Sequence, residues 1–376
     1  MGFVRLEAGS LVKMRMLALV TDAYGADGGI AQYNRDLLDA LSKSAGITEV
    51  VVLSRSGAAT AGQIPPNVVQ LPARPKKILY ALAAINVALR SGPFDVVFCG
   101  HLYTAPVAAV AAKIAGANLW LQLHGIEAWD PPGRWRRWAA EQARLVTAVS
   151  RYTRDRFLGW AKLEPETVKV MPNTVDPRFT PGPRSDALLD RYDLRGKKIL
   201  LTVSRLAAAE RYKGHDLVLS ALAALKSQHP DLVYVIAGDG DDLPRLQHLA
   251  RDLGVAGNTR FTGFVKDEDL PDLYRSADVF VMPSTGEGFG IVFLQAIACG
   301  LPVIAADGDG SRDPLRDGAD GALVTIGMPE SLGRAIEEAL ARPRDAAGDS
   351  PFEFRYFEAQ AHRLAVTLAQ LARANT

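Results

Sequence analysis

Short apolar runs alternate along this chain with amphipathic segments of helical periodicity. The runs are rich in leucine and β-branched side chains and mostly lack polar alternation, which is typical of strands buried on both faces of a parallel sheet. Helical segments such as Ile30–Lys43 and Ser150–Trp160 follow several of them. The pattern therefore predicts a doubly wound α/β sheet. In the first half the predicted strands are Arg15–Thr21, Glu49–Ser54, Asp95–Gly100, Leu119–His124, Leu145–Ser150 and Val168–Pro172.

The segment 172–195 interrupts this alternation, because prolines, a glycine and polar residues give it the composition of a linker. Beyond it the predicted strands resume, at Lys198–Ser204, Leu232–Gly238, Thr259–Phe264, Asp278–Pro283, Pro302–Ala306 and Gly321–Val324. A chain of 376 residues also exceeds what one hydrophobic core usually serves. We therefore predict two Rossmann-like domains, over residues 1–177 and 178–353, and a last helix within residues 354–376 that crosses back to the first domain.

Composition and charge narrow the class of protein. The formal net charge of +1 gives no overall basic field of the kind that nucleic-acid binding needs. Two cysteines in apolar runs, and an N-terminus without a long apolar signal segment, favour a reducing compartment. We expect a cytoplasmic protein with an extension over residues 1–13. The longest apolar stretch, Ala105–Leu121, is interrupted by polar residues and glycine, so we interpret it as a helix and a strand and not as a membrane span.

Basic and indole side chains are combined in the segment Arg134–Trp138. Such a segment suits a peripheral contact with the inner face of an anionic membrane. It suits equally an amphipathic helix whose tryptophans pack inward. Both interpretations stay open from the sequence.

A glycine-rich loop separates a predicted strand that ends at Pro283 from a helix that begins near Ile291. Its glycines allow the backbone to bend and to approach a ligand closely, at Gly286, Gly288 and Gly290. The loop amides and the helix N-terminus suit anions or sugar oxygens, and the Glu287 carboxylate can accept hydrogen bonds from sugar hydroxyls. The alternative is a structural turn in which Glu287 complements the helix dipole.

Two cations flank the loop that follows the first predicted strand of the second half. Arg205 lies at the carboxyl end of that strand, and Lys213 comes just before the next helix. Arginine offers a planar fork and lysine a mobile point charge, and together they can hold a diphosphate and offset the charge of a leaving group. The alternative is ordinary surface charge.

The first half offers further candidates. Gly28 and Gly29 follow the first predicted strand but lack the G-x-G-x-x-G dinucleotide pattern, so a simple turn is equally open. His124 closes a strand and either positions an acceptor hydroxyl or a sugar oxygen, or is a satisfied core histidine. His101, also after a strand, is a candidate of the same kind, with the same alternative. The acidic run 239–242 lacks partner ligands for a hard cation, which favours a turn over a metal site.

These motifs, taken in order, resemble family 4 of the retaining glycosyltransferases, which have the GT-B fold. The family signature runs Pro-Ser, Glu-Gly-Phe-Gly and Cys-Gly-x-Pro-Val. The chain matches it at 283–284, 287–290 and 299–303. Ser204-Arg205 with Lys213-Gly214 is similar to the family's diphosphate clamp, and residues 172–176 are similar to its hinge. The resemblance covers almost the whole chain and implies two doubly wound parallel-sheet domains facing a central cleft.

The resemblance also implies roles for individual residues. Catalysis is expected of Arg205, Lys213, Glu287 and His124. The residues expected to border the nucleotide sugar are Gly28, Gly29, Asp239, Gly263, Phe264, Val265, Gly288, Phe289, Gly290, Ile291 and Gln295. Two positions depart from the family pattern. Gln295 stands where the family has a second Glu that usually meets the ribose hydroxyls, and Thr174 stands where the hinge usually has Gly.

The activity implied by the resemblance is transfer of a hexose with retention of configuration, without a metal or other cofactor. The donor is of the GDP-mannose or UDP-glucose type and binds the second domain. The acceptor is a glycan or lipid-linked intermediate of surface polysaccharide synthesis and binds the first. Another GT-B enzyme, such as a nucleotide-sugar epimerase or a phosphorylase, is one alternative. A non-catalytic sugar-nucleotide-binding subunit, suggested by Gln295, is another, whereas the missing dinucleotide pattern disfavours a dehydrogenase.

Overall fold

The computed structural model of the chain describes residues 13–44, 46–57, 64–327, 329–342, 350 and 352–373. These residues form two compact units. The first holds the residues up to Met171 and those from Arg355 onward, and the second holds Pro172–Phe354. The predicted extension lies outside the described residues except for Lys13, and so do residues 374–376 of the predicted last helix.

The first unit is built on a seven-stranded parallel sheet in the order β3-β2-β1-β4-β5-β6-β7. Its strands are β1 (Met14–Val20), β2 (Ile47–Ser54), β3 (Val68–Gln70), β4 (Val96–Cys99), β5 (Asn118–Leu123), β6 (Leu145–Ala148) and β7 (Val168–Val170). Its first helices are α1 (Gly29–Ser42), α2 (Lys77–Arg90), α3 (Ala105–Ala115), α4 (Arg134–Ala140) and α5 (Arg151–Leu158). Alternate residues of β1, Leu17 and Leu19, pack in one core with buried side chains of α2, α3 and α4.

The second unit is built on a six-stranded parallel sheet in the order β10-β9-β8-β11-β12-β13. Its strands are β8 (Lys198–Val203), β9 (Leu232–Ala237), β10 (Thr259–Gly263), β11 (Val279–Met282), β12 (Val303–Ala306) and β13 (Ala322–Val324). Its helices are α6 (Asp186–Arg191), α7 (His215–Leu225), α8 (Leu243–Asp252), α9 (Leu270–Ser276), α10 (Ile291–Ala298) and α11 (Pro329–Ala341). α-Helices connect the consecutive strands from β8 to β12, whereas β12 and β13 are joined through two short 3-10 helices.

The last helix, α12 (Phe354–Arg373), packs on the first unit. Gln360 Nε2 donates to Val170 O across 2.6 Å, and the Phe357 ring meets that of Tyr33 edge-on with centroids 5.8 Å apart. Residues 172–177, predicted from the sequence to end the first domain, lie instead in the second unit. There Thr174 Oγ1 donates to Phe352 O across 2.8 Å, a bond that the glycine usual at this position would lack.

The two parallel sheets confirm the predicted α/β fold class of two Rossmann-like domains. Each predicted strand is present, with bounds that shift by at most two residues. β3 is an additional strand at the edge of the first sheet, where Val69 is exposed. No apolar run marks this strand in the sequence, because β3 offers only two apolar residues in succession, Val68 and Val69. Within the described residues, no helix has both the length and the apolar character that crossing a bilayer requires.

Candidate functional site

Two neighbouring strands of the second sheet, β8 and β11, end in the loops that carry the predicted diphosphate and sugar residues, and the next strand, β12, ends beside them. The strand order places β8, β11 and β12 side by side, and the three strands are parallel. Arg205 follows β8, Glu287 follows β11, and Asp309 follows β12. The three loops therefore share the carboxyl edge of the sheet, where open α/β sheets bind ligands.

Lys213 and Glu287 form an ion pair between two of these loops. Lys213 Nζ donates to Glu287 Oε1 across 2.9 Å, and each side chain is only 14% exposed. Burial disfavours the ammonium, but the charge and hydrogen bond of Glu287, together with Tyr212 and Glu210, outweigh it and raise the pKa of Lys213. Lys213 is therefore charged at neutral pH and is held at the end of β11.

Glu210 forms an ion pair with Arg205, the other cation predicted from the sequence. Arg205 Nη2 donates to Glu210 Oε1, and Glu210 Oε2 lies 3.7 Å from Lys213 Nζ. The Glu210 side chain is 13% exposed, whereas that of Arg205 is 80% exposed. A diphosphate that binds both cations must therefore compete with the Glu210 carboxylate. Glu210 is not among the residues predicted from the sequence, although it lies in the same loop as both cations.

Glycines bring the loops after β8 and β11 into close contact. Gly214 adopts a left-handed conformation with φ of 81°, and a Cβ there would lie 2.5 Å from Pro283 O. A Cβ at Gly286 would lie 2.7 Å from the Tyr212 ring, and Thr285 N donates to Tyr212 O across 2.9 Å. Larger residues at these two glycines would separate the loop that carries Lys213 from the loop that carries Glu287.

The backbone of Glu287 is held on both sides by the loop after β12. Glu287 N donates to Asp309 Oδ2 across 2.7 Å, and Gly310 N donates to Glu287 O across 2.9 Å. Asp309 is buried and also accepts from Ser311 N at 2.9 Å. Burial raises the pKa of the Asp309 carboxyl to about 6. Asp309 fixes the Glu287 peptide and is not predicted from the sequence, where it stands in an ordinary glycine turn.

The rest of the glycine-rich loop leads into α10. Gly290, with φ of 85°, directly precedes Ile291, the first residue of that helix. The Phe289 ring is buried and packs edge-on against Phe352, with centroids 5.6 Å apart. The Phe289 ring is therefore part of the packing beneath the loop and is not available to a ligand.

Gln295 lies on α10 and is tied to α9. Its side-chain oxygen accepts a hydrogen bond from Tyr274 OH at 2.8 Å, and Tyr274 is fully buried. The bond fixes the direction of the carboxamide. Gln295, which stands where the family has Glu, thus has a defined orientation on the helix that follows the glycine-rich loop.

The ends of β9 and β10 are joined beside the loop of Arg205. Gly238 N donates to Gly263 O across 2.9 Å, and a Cβ at Gly238 would lie 1.8 Å from Ser204 O. Asp239 and Phe264 are exposed next to this junction, and Val265 is half-buried. These predicted donor-binding residues therefore lie on loops that adjoin the end of β8.

A buried hydrogen-bond network supports the start of the Arg205 loop. His215 Nε2 lies 2.8 Å from Ser204 Oγ, and His215 Nδ1 lies 2.9 Å from Tyr234 OH. Burial lowers the pKa of His215 to about 4, so the ring is neutral at pH 7. Because Ser204 directly precedes Arg205, the network anchors the backbone from which the guanidinium extends.

His124 lies at the carboxyl edge of the first sheet. Its Nε2 lies 2.9 Å from Gly100 O, and its backbone N donates to Glu127 Oε1 across 2.6 Å. Burial lowers the pKa of His124 to about 4, so the ring is neutral at pH 7. A carbonyl oxygen only accepts, so Nε2 carries the hydrogen and Nδ1 keeps its lone pair. The ring is thus held as a core histidine would be, with one nitrogen still able to accept.

The other first-unit candidates lie in the same sheet-edge region or at the start of α1. His101 Nδ1 accepts from Tyr103 N at 3.1 Å, which is a helix-capping bond, and its ring centroid lies 6.1 Å from that of His124. Gly28 caps α1 with φ of 103°, and Gly29 is the first residue of that helix. A Cβ at Gly28 would meet no atom within 4 Å, so the space in front of the helix is open.

No cluster of three or more histidine, cysteine, aspartate or glutamate side chains that could hold a metal ion occurs in the described parts of the chain. In the acidic run, Asp242 pairs with Arg211 and Arg245, and Asp241 Oδ1 accepts from Ala208 N. Both carboxylates are therefore engaged in ion pairs or hydrogen bonds within the protein. Independence of the reaction from metal stays a prediction.

Comparisons with known proteins match both halves of the chain. Residues 27–179 match the model of Glycosyltransferase Family 4, and residues 190–349 match that of Glycosyl transferases group 1. The fold is similar to that of HepE from Anabaena, solved in complex with UDP and glucose. The TM-score is 0.71 at 23% sequence identity, and the match covers 96% of this chain and 98% of that one.

Two relatives show closer sequence identity over part of their length. A GDP-mannose-dependent alpha-(1-6)-phosphatidylinositol monomannoside mannosyltransferase from Mycolicibacterium smegmatis is 37% identical over 213 residues, which is 54% of this chain and 55% of the relative. A D-inositol 3-phosphate glycosyltransferase from Geodermatophilus obscurus is 38% identical over 213 residues, which is 54% of this chain and 46% of the relative. The match thus spans about half the length of each relative. With its two parallel-sheet units and its matches in both halves, the chain belongs to glycosyltransferase family 4 and has the GT-B fold.

Proposed function

We propose that the protein is a retaining glycosyltransferase that moves a hexose from a nucleotide-diphosphate sugar to a hydroxyl of a glycan or lipid-linked acceptor. The observation that carries the proposal is the cluster of Arg205, Lys213 and Glu287 at one sheet edge, with Lys213 Nζ 2.9 Å from Glu287 Oε1. The mannosyltransferase relative favours GDP-mannose as the donor, and the UDP complex of HepE makes UDP-glucose the second donor to test.

The two cations serve the leaving group in this proposal. The bond between the sugar C1 and the diphosphate oxygen breaks, and the acceptor hydroxyl bonds to C1 on the same face. The hydroxyl proton passes to the departing diphosphate. Arg205 and Lys213 offset the charge that develops there, so that no metal is needed. A single donor of this kind contributes about 10²–10³-fold in rate.

Glu287 and the amides of residues 288–290 orient the sugar. The carboxylate accepts from sugar hydroxyls while Lys213 bridges it to the diphosphate, so one ion pair connects the two halves of the donor. Gln295 lies on the helix that follows and binds the ribose hydroxyls through its carboxamide. In the first unit, His124 accepts at Nδ1, the ring nitrogen that keeps its lone pair, from a second hydroxyl of the acceptor, while the attacking hydroxyl donates to the diphosphate.

The test is a thermal-shift and turnover screen of the purified protein across nucleotide sugars, with and without a chelator. We expect GDP or GDP-mannose to raise the melting temperature, and transfer to need an added acceptor and to survive chelation. Epimer or sugar release that needs no acceptor would establish a different GT-B enzyme. Tight nucleotide binding without turnover on any glycan, inositol or lipid-linked acceptor would establish a binding subunit instead.

A further inference from the structure

Three neighbouring helices of the first unit expose large apolar side chains. Helices α2, α3 and α4 pack against one core, and α3 contacts both of the others. Ile78, Leu82 and Leu89 lie on the outer side of α2, whereas Tyr80, Ala84 and Val87 of the same helix are buried. Of the sixteen large hydrophobic residues exposed among the described residues, eight lie on these three helices. Such clustering marks an interaction surface, while single exposed apolar residues do not.

The tryptophans of α4 belong to this surface. Trp135 is 63% exposed and Trp138 is 41% exposed, so the interpretation in which they pack inward is wrong. Arg134 lies over the Trp135 ring at 4.7 Å, and Arg136 lies over the Tyr103 ring at 4.5 Å. Indole rings flanked by arginines are typical of the boundary between water and lipid headgroups.

The charge of the same helices has one sign. Together α2, α3 and α4 contain six basic residues and no acidic residue, in Lys77, Arg90, Lys113, Arg134, Arg136 and Arg137. The whole chain has a net charge of +1, so the remainder of the chain is net negative. Glu141, just after α4, is paired with Arg137 at 3.0 Å. The positive charge is thus concentrated where the apolar side chains are exposed.

We propose that the outer side of α2, α3 and α4 docks on an anionic lipid bilayer. The apolar side chains enter the headgroup region, and the basic side chains bind lipid phosphates around them. A second copy of the chain is a poor occupant, because an isologous contact would set two surfaces of the same positive charge against each other. Docking itself does not depend on the proposed transfer reaction, although it would bring the enzyme to a lipid-linked acceptor.

The test is flotation of the full chain with vesicles of phosphatidylcholine alone or with 30% phosphatidylglycerol, at low salt and at 0.5 M salt. We expect binding to the anionic vesicles only, reduced at least tenfold by high salt. The variant Ile78→Asp/Leu82→Asp is expected to lose binding at least tenfold, and Lys113→Glu/Arg134→Glu to lose it most at low salt. Matched controls are Leu217→Asp and Arg251→Glu, exposed residues of α7 and α8, which are expected to float as the wild type does.

Failure of the wild-type protein to float with anionic vesicles would overturn the proposal. So would unchanged flotation of the surface variants, or a dimer in light scattering that Ile78→Asp/Leu82→Asp abolishes without any vesicle binding. The melting temperature shows whether each variant is folded, since all substituted side chains are exposed. Nucleotide binding, followed in the same variants by thermal shift, separates a loss of docking from a failure of the proposed transfer function.

Discussion

Lys213 Nζ lies 2.9 Å from Glu287 Oε1, and this ion pair links the loop after β8 to the loop after β11. Both side chains are largely buried, so removing either partner leaves a charge with poor access to water. Arg205, in contrast, extends into solvent from the same loop as Lys213. The cluster therefore contains residues whose loss should affect activity alone and residues whose loss should affect activity and stability together.

Arg205→Ala is expected to abolish transfer with little effect on folding. Turnover should fall at least about 10²-fold, because the leaving diphosphate loses one of its two cations. The free energy of unfolding should change by no more than about 1 kcal/mol, since Lys213 remains beside Glu210. Steady-state kinetics and urea unfolding measure both quantities. The control is Arg251→Ala, an exposed arginine on α8. Wild-type transfer by Arg205→Ala would remove this residue from the site.

Glu287→Ala is expected to abolish transfer and also to destabilise the protein. The Lys213 ammonium loses its nearest partner, at a cost of about 1–3 kcal/mol, limited by Glu210 at 3.7 Å. The double variant Lys213→Met/Glu287→Leu should recover most of that stability without recovering transfer. Urea unfolding of Lys213→Met, Glu287→Leu and the double variant gives the coupling energy. A coupling near zero would show that the pair is not maintained in solution.

Glu210→Gln is expected to tighten the binding of a nucleoside diphosphate several-fold. The amide keeps a hydrogen bond to Arg205 but removes the negative charge that competes with a diphosphate for both cations. Calorimetric titration with GDP and UDP measures the change. Glu268→Gln, at an exposed loop position, is the control. Weaker binding in Glu210→Gln would show instead that the carboxylate is needed to hold the cations in place.

The sequence predicts most of this fold because buried parallel strands leave continuous apolar runs. Of the thirteen strands among the described residues, twelve are predicted from such runs, and β3 is not, because only Val68 and Val69 of it are apolar. The cations and carboxylate of the site could also be predicted, because Arg205, Lys213 and Glu287 lie in loops that follow strands, at the sheet edge where ligands bind. Their roles in binding and catalysis remain predictions.

Asp309 could not be predicted, because its importance arises from a contact with a segment distant in the sequence. Glu210 lies in the same loop as both cations, but only the folded loop brings its carboxylate onto them. Asp309 acts on a residue of another loop, and only the neighbouring positions of β11 and β12 bring the two together. The direction of Gln295 likewise depends on Tyr274, which lies on a different helix. The exposure of Trp135 and Trp138 depends on how α4 packs, which an amphipathic pattern alone leaves open.

Transfer is expected to decrease as the pH falls through about 6, because Asp309 then takes up a proton. The carboxylate accepts from Glu287 N and Ser311 N, and protonation turns one acceptor oxygen into a donor. The donor KM should rise as Glu287 loses its fixed orientation. The free energy of unfolding depends on pH in the opposite direction to transfer. The raised pKa means that the folded state keeps the proton when the unfolded state, near the ordinary value of about 4, has lost it. The contribution of Asp309 to the free energy of unfolding therefore decreases as the pH rises from about 4 to about 6.

The variant Asp309→Asn shows whether the decrease in transfer near pH 6 comes from Asp309 or from another titrating group. The amide is neutral at every pH and directs a donor toward backbone N–H groups, so transfer should be at least about tenfold lower at pH 7.5 and should lack the step near pH 6. The pH profile of kcat/KM, measured beside the exposed control Asp252→Asn on α8, shows whether the step disappears. A step that persists in Asp309→Asn would mean that another group titrates. A variant with wild-type KM at every pH would mean that Glu287 is oriented without Asp309.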